Sequence, residues 1–272
     1  MKKSTFVFVA LTSLLAAQEF IGIIKPIADV ELSMPIDGKI AKIAKKEGAS
    51  VSQGETILAL EDRLQQLDTQ RREIIYHDRS QLNSALKSQK LLQSLLDSTK
   101  KLYERTKAVS RDELRTLEMK YYSLEGEIEA KQENEKKEKV EYEMAKALLE
   151  QYHLKSPIDG VITKIELQEG EWAKTGVAIV QVVNPTICYL DINIEEKYID
   201  NIKLNDSFSF NVKTRNVDMN KKGKVTFISP IADSASGLVR IKIEFENSDQ
   251  KITPGLSATI NIDFASKSRV DE

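Results

Sequence analysis

Two histidines, one cysteine and five methionines are the residues of this chain best suited to hold a metal or attack a substrate, and their spacing favours neither. His77 and His153 stand 76 positions apart, each in a helix-like run without a nearby cysteine, and match no ligand spacing of known metal sites. Both read as structural or solvated. Cys188 has no partner for an internal disulfide, and its strand-like, apolar surroundings suggest a small buried side chain. Met1, Met34, Met119, Met144 and Met219 do not cluster in sequence, so a methionine metal site requires a fold that gathers them. The block from Lys131 to Lys139 reads as a solvated helix surface with local ion pairs. No convergent polar set and no phosphate-cradling glycine loop occurs, so neither an enzyme nor a cofactor is expected. With 40 basic against 42 acidic side chains, nothing suggests a nucleic-acid partner.

What remains is architecture. The start, MKKSTFVFVALTSLLAAQ, places Lys2 and Lys3 before a short apolar run and small residues, as a secretory signal does. A spanning helix needs about 20 apolar residues, so cleavage near Ala17 is the leading expectation. An uncleaved anchor and a buried first strand are the alternatives.

Residues 35–62 recur at 157–184 after a shift of 122, with Pro, Ile, Asp, Gly, Ile, Lys, Ile, Glu, Gly, Gly and Ile in register. Each copy reads as a Pro-Ile-Asp-Gly turn, an alternating strand, a Glu-Gly turn and a second apolar strand. Asp-Gly and Glu-Gly are expected to supply positive-φ positions. One such fragment cannot bury its apolar face alone and two can, so the copies are predicted to close into one domain.

Between the copies, proline is absent and Gly126 is the one glycine, a helix composition with one interruption at RTKAVSRDEL. Ser110 and Glu113 form a capping box, with Val109 and Leu114 as a hydrophobic staple, so a helix should start at Arg111. Its heptad seam runs Leu114, Leu117, Tyr121, Leu124, Ile128, lapses at Lys131, Glu135 and Glu138, and resumes at Tyr142, Ala145, Leu149 and Tyr152. A reversal near residue 108 would oppose residue i with about 217 minus i. Leu64, Leu67 and Ile74, and then Leu92, Leu95 and Leu102, are expected to face that seam. The result is a hairpin roughly 65 Å long, in which Gly126 is a candidate bend. Off the seam, Ile75, Leu91, Leu96 and Tyr122 suggest either lateral neighbours in an oligomer or scattered exposed residues. From Thr186 to Phe264 the strands YLDINI, FSFNV, GKVTFIS, VRIKIEF and SATINIDF, with one short helix at EEKYIDNI, suggest a small antiparallel barrel.

Paired MPIDGKI and LKSPIDGVI half motifs, the long hairpin between them, and a following barrel with EEKYIDNIKLND and ITPGLSATI resemble the HlyD-like membrane fusion proteins. These are the periplasmic adaptor subunits of tripartite efflux and secretion systems. The resemblance implies an elongated α+β fold: a signal peptide at 1–17, a split lipoyl-like (barrel-sandwich hybrid) domain at 18–62 and 154–185, an α-helical hairpin at 63–153, a β-barrel at 186–265 and a frayed tail at 266–272. Biotinyl and lipoyl carriers join the same halves by a tight turn bearing a modified lysine. Here the hairpin replaces that turn, and LEMKY around Lys120 lacks the methionine that should follow the lysine.

The resemblance further implies that the hairpin tip docks on an outer-membrane channel through an Arg, a Leu four residues on and a Ser seven beyond. This chain offers Leu102 and Ser110 with a gap of eight, and Ser98 stands where the Arg would be, with Lys100, Lys101 or Arg105 as substitutes. Leu102, Tyr103, Arg105, Val109, Ser110 and Leu114 are therefore the candidate tip residues, and Ser110 is needed as a cap in any case. The implied partners are an inner-membrane transporter of the resistance-nodulation-division or ABC type, an outer-membrane channel, and further copies of the chain as a hexamer. The transporter contact would fall to the barrel and the lipoyl-like face, because residues 18–33 and the tail after Phe264 are too few for a membrane-proximal domain. The implied location is the periplasm, at the inner membrane. A coiled-coil spacer without a transport role is the alternative. The family's barrel commonly has Gly where Asn205 and Asp206 stand, and both tolerate that turn.

Overall fold

The computed structural model describes residues 18–213 and 218–262. The signal expected at 1–17 and the frayed tail expected at 266–272 lie outside them. In chain order the elements are β1 (Gln18–Ser33), β2 (Gly38–Ile43), β3 (Ser50–Val51), β4 (Thr56–Leu60), α1 (Arg63–His77), α2 (Ser80–Thr106) and α3 (Arg111–Glu150). They continue with β5 (His153–Lys155), β6 (Gly160–Ile165), β7 (Trp172–Ala173), β8 (Ala178–Glu195), a 3-10 turn (Glu196–Asn201), β9 (Ser207–Lys213), β10 (Asp218–Ala232), β11 (Leu238–Glu246) and β12 (Ser257–Ile262).

The two copies of the sequence repeat interleave. β2 of the first copy pairs with β7 of the second, and β3 of the first pairs with β6 of the second. The 122-residue shift turns each pairing into the other, which makes the domain a pseudo-two-fold. Hydrogen bonds obey the same operation. Gly48 N–H donates to Ile162 O at 2.8 Å, and Gly170 N–H to Ile40 O at 2.9 Å. The repeated carboxylates reach across the same divide. Asp159 accepts from Gln53 N–H at 2.8 Å and Asp37 from Thr175 N–H at 2.7 Å, while Glu169 accepts from Ile43 N–H and Glu47 from Ile165 N–H. Each half thus supplies acceptors for backbone donors that the other half exposes, and neither half satisfies its turns alone. Between them Met34, Ile40, Ile57, Leu58, Leu60, Ile162, Ile179 and Val182 are buried in one core.

The repeated glycines divide their roles differently from the expectation. Gly48 and Gly170 of the Glu-Gly turns have φ of 81° and 93°, as expected. Gly38 and Gly160 of the Asp-Gly turns do not fall among the positive-φ glycines. Gly160 is required instead by close approach, since a Cβ there would lie 2.5 Å from Val183 O, whereas at Gly38 the nearest atom is the end of the Leu60 side chain at 2.8 Å.

The barrel corrects a predicted boundary. Its strands close in the ring β1-β12-β9-β10-β11-β8-β1, with five from the C-terminal region and the sixth from the first described residues. Residues 18–23, expected in the lipoyl-like domain, pair with β12 from Gln18↔Ile262 to Ile23↔Ser257. The cause is alternation: Ile24 is buried inside the barrel while Ile21, Ile23 and Ile27 point outward, and Gly22 leaves room for Ile192 and Leu190. Phe210 and Phe245 meet edge to face at 5.0 Å in the barrel interior. β1 and β8 continue beyond the barrel as a ladder running from Ile23↔Asp191 to Ser33↔Ala178, so both β units share two strands. Asn205 has φ of 71°, the geometry its turn needs.

Candidate functional site

The hairpin presents its tip from a closed base. β4 and β5 pair as Ala59↔His153, Leu60 N–H donates to Tyr152 O at 2.8 Å, and His153 Nε2 lies 3.3 Å from Asp62 Oδ2. Both arms therefore leave from adjacent rungs of one ladder. α3 runs 40 residues without a break through Gly126, about 60 Å at 1.5 Å per residue.

The other arm is not one helix. It stops at His77 and restarts at Ser80, because Asp78 leaves helical geometry (ψ 91°) and its carboxylate accepts the Ser80 N–H at 3.0 Å. Arg79 at the break pairs with Glu135 of α3. This second interruption was not expected.

The α3 seam matches the predicted positions: Ile128 and Ala145 are buried and the other seam residues half-buried, Lys131, Glu135 and Glu138 included. The seam expected on the first arm is wrong in α1. Leu64, Leu67 and Ile74 are exposed, and Gln65, Thr69, Arg72 and Tyr76 face α3 instead. Thr69 Oγ1 donates to Ala145 O at 3.2 Å, Gln65 Nε2 to the same oxygen at 3.3 Å, and Arg72 to Glu141 at 2.8 Å. Tyr76 stacks on Tyr142 at 6.0 Å. The Asp68 carboxylate is held below its usual range by Arg71 and then Arg72 beside it. In α2, Leu92 sits in the seam as expected and Leu96 joins it, whereas Leu95 and Leu102 are exposed. Cross-arm contacts join residues whose numbers sum to between 210 (Gln65 with Ala145) and 218 (Tyr76 with Tyr142), centred near 214 (Thr69 with Ala145, Arg72 with Glu141, Arg79 with Glu135), against the predicted 217.

All six candidate tip residues lie at or beside the turn joining α2 to α3. Leu102, Arg105 and Ser110 are exposed, and Tyr103, Val109 and Leu114 are half-buried. Ser110 caps α3: its Oγ accepts the Asp112 N–H at 3.2 Å, one residue short of the Glu113 N–H that a capping box uses. Lys107, which sequence reasoning missed, turns the chain. It holds the left-handed conformation (φ 55°), donates its N–H to Tyr103 O at 3.1 Å and lays its Nζ 4.2 Å above the Tyr103 ring. Glycine or asparagine would have announced that cap; a lysine gives no such signal. The result is a turn that leaves Leu102 exposed amid the equally exposed Lys100, Lys101 and Arg105.

The remaining candidates do not converge. Lys120 is exposed on the straight run of α3, far from any tight turn. Met34 is in the core of the split domain, Met219 in the barrel, and Met119 and Met144 sit about 38 Å apart on α3. His77 packs on Tyr76 with ring centroids 4.7 Å apart. Among the described residues, no three His, Cys, Asp or Glu side chains gather around a common point. Cys188 is fully buried, which pushes its thiol up, and accepts from Asn247 Nδ2 at 3.8 Å. Where barrel and split domain meet, Ile23, Pro26, Ile27, Pro185, Tyr189 and Pro254 line an open groove of about 990 Å³. Lys25 on its rim is tied to Asp191 at 2.9 Å, and Arg240 grips the same carboxylate at 2.6 Å. Among the described residues, no helix is long and apolar enough to cross a membrane.

A family profile for the CusB-like, beta-barrel domain matches residues 189–266. The chain is 30% identical over 118 residues to the cation efflux system protein CusB of Escherichia coli K12, covering 43% of this chain and 28% of that protein. It is 20% identical over 184 residues to the cobalt-zinc-cadmium resistance protein CzcB of Cupriavidus metallidurans, covering 68% of this chain and 34% of that protein. The matched stretches thus span about a third of either relative. Among solved structures, MacA from Actinobacillus actinomycetemcomitans superposes with a TM-score of 0.73 at 22% identity, over 91% of this chain and 79% of that one. A MacA-MexA chimera carrying the Pseudomonas aeruginosa MexA alpha-hairpin gives 0.61 at 20% identity, over 93% and 82%. The solved structures share the fold, and the barrel that the family profile identifies is CusB-like rather than specifically HlyD-like.

Proposed function

We propose, from the premise that this chain belongs with the membrane fusion proteins whose fold it has and whose CusB-like barrel it carries, that it is a non-enzymatic periplasmic adaptor. It bridges an inner-membrane exporter to an outer-membrane channel. The observation that carries this reading is the split β domain, whose adjacent β4 and β5 launch two arms about 60 Å outward while the barrel stays at the other end. A carrier or catalytic module has no use for such a reach. In this reading the tip, with Leu102 and Arg105 exposed and Ser110 fixing the turn, meets the channel. The barrel and its groove meet a transporter of the resistance-nodulation-division or ABC type. The chain acts as a hexamer at the periplasmic face of the inner membrane, exported by residues 1–17, and takes no nucleic acid.

The test is excision of residues 98–118 with a short helix-joining turn in their place, followed by export and abundance measurements in the same cells. Loss of export with the protein folded and abundant is expected. Unchanged export would leave the hairpin as a mere spacer and end the adaptor reading.

A further inference from the structure

Between the barrel and the split domain the chain narrows to two strands. β8 pairs with β11 as far as Ile187 and with β6 from Val180 to Val183, so Asn184, Pro185 and Thr186 lie between the two ladders. β1 runs alongside, paired at Pro26↔Cys188 and Ala28↔Asn184, with a register shift that leaves Ile27 opposite the same stretch. Its own ladder with β12 has ended at Ile23. Proline stands in both strands, at Pro26 and Pro185, and has no N–H to give a ladder. A two-stranded ribbon interrupted in this way is marginal by itself and would serve as a hinge. The lever above it is long: with arms of about 60 Å, each degree of tilt at this neck would carry the tip through about 1 Å.

One buried side chain closes it. Asn247, fully buried in the loop between β11 and β12, donates Nδ2 to Pro185 O at 2.9 Å and its backbone N–H to Thr186 O at 2.8 Å. The same side chain binds Ile252 twice: Nδ2 donates to the Ile252 O at 2.8 Å, and Oδ1 accepts the Ile252 N–H at 3.2 Å. Ile252 in turn sits in the barrel core. Both neck carbonyls are thus held by a single residue of the barrel. The remaining neck residue, Asn184, turns its Oδ1 onto the Thr186 N–H at 3.0 Å and the Thr186 hydroxyl at 2.6 Å, and the ladder of the split domain begins at the adjacent Val183. Two surface contacts flank the neck, Lys25 with Asp191 at 2.9 Å and Gln181 with Asp29 at 2.7 Å. Each joins β1 to β8 on one side of it, and neither spans it.

We infer that Asn247 is a positioning residue that makes this neck a rigid joint instead of a hinge, so that barrel and split domain move as one body. Burial is what gives the lock its strength. Tilting the neck would strand two carbonyls and the Asn247 amide away from water, and an unpaired polar group there costs far more than an exposed one. The direction of the hairpin is then set by the orientation of the barrel. This deepens the proposed function and rests on it for what the barrel and the tip meet, since a stiff joint carries a displacement at one to the other.

Pulsed electron paramagnetic resonance on spin-labelled cysteines in the full chain tests it, with the fully buried Cys188 out of the label's reach. Ser50→Cys with Ser209→Cys spans the neck, from β3 to β9. Asn193→Cys with Ser209→Cys, on opposite walls of the barrel, is the reference pair. The parent is expected to give a neck-spanning distance distribution as narrow as the reference. Asn247→Ala should broaden the neck-spanning distribution at least twofold and leave the reference unchanged. Lys25→Ala with Gln181→Ala, which removes the surface contacts and spares Asn247, should leave both as in the parent. A parent whose neck-spanning distribution is already broader than the reference would overturn the inference, and so would an Asn247→Ala chain that stays narrow. Broadening of both pairs in Asn247→Ala would make Asn247 a core residue of the barrel alone and overturn it as well. Neck broadening in the Lys25→Ala, Gln181→Ala chain would assign the stiffness to the surface contacts, with the same result. The distances require no transport, so a rigid neck in a chain whose hairpin excision leaves export unchanged sustains the joint and ends the adaptor reading.

Discussion

Three glycine-to-alanine substitutions should change stability in a definite order. At Gly160 the new Cβ would lie 2.5 Å from Val183 O and 2.9 Å from Val183 C, the backbone of the neighbouring strand β8. That backbone can yield only by opening the β6–β8 ladder, an overpacking cost of about 3 kcal/mol, offset by about 0.5–1 kcal/mol from the stiffer unfolded chain. The net loss is about 2 kcal/mol. At its pseudo-symmetric mate, Gly38, the nearest atom is Leu60 Cδ1 at 2.8 Å, the end of a rotatable side chain, so the net loss is under about 1 kcal/mol. At Gly126 nothing lies within 4 Å in mid-helix, and alanine should gain up to about 1 kcal/mol. At roughly 2–4 °C per kcal/mol for a chain of this size, the Gly160 variant should melt about 4–8 °C lower and the Gly126 variant up to about 4 °C higher. Trp172 is the one tryptophan and sits in β7 against β2, so its fluorescence follows the split domain while far-ultraviolet dichroism follows the hairpin. The Gly160 loss should show in fluorescence and the Gly126 gain in dichroism. A Gly160 variant as stable as the parent, or a Gly38 variant worse than Gly160, would refute the close-approach argument.

Other outcomes follow from the same structure. Ser110→Ala removes the α3 cap and should cost about 1 kcal/mol of hairpin stability by urea melts, with Ser110→Asp restoring most of it. Leu102→Asp, at an exposed tip position, should leave the melting temperature within about 1 °C yet abolish export, read in the same cells. Ile128→Ala, in the buried seam, should destabilise the hairpin by about 2–4 kcal/mol in the same melts. Burial pushes the Asp191 carboxyl up, but Arg240 and Lys25 outweigh it and leave it below the ordinary 3.8. Its contribution is therefore present above pH 3.8 and lost as pH falls through the lower folded value. Asp191→Asn should flatten that part of the acid unfolding curve.

The sequence reveals the global plan because the plan is written as repetition and period. Eleven residues recurring at a shift of 122 mark the split domain, and the heptad run from Leu114 to Tyr152 marks α3. It misleads where two physical signals compete. On α1 the apolar stripe points outward and the stripe meeting α3 is polar, so hydrophobicity alone selects the wrong face, and only the hydrogen bonds of Gln65 and Thr69 reveal the true one. The break at Asp78 depends on one side chain capping two residues on, in a run with no glycine or proline. β1 joins barrel strands whose paired residues lie 168 (Ile23↔Asp191) to 244 (Gln18↔Ile262) positions later, a closure no local pattern encodes. At the tip, Ser110 was legible as a cap, whereas Lys107 was not, because lysine has no preference for the left-handed conformation that its contacts with Tyr103 accompany.

The arms leave from neighbouring rungs, Ala59 and His153, so nothing below those rungs depends on how far the arms extend. The hairpin is therefore an adjustable gauge. Inserting or removing one heptad from each arm, at matching heights, would move the tip by about 10 Å and return every seam residue to its face. The reach of the tip could be lengthened or shortened by such changes without altering a single contact in either β unit.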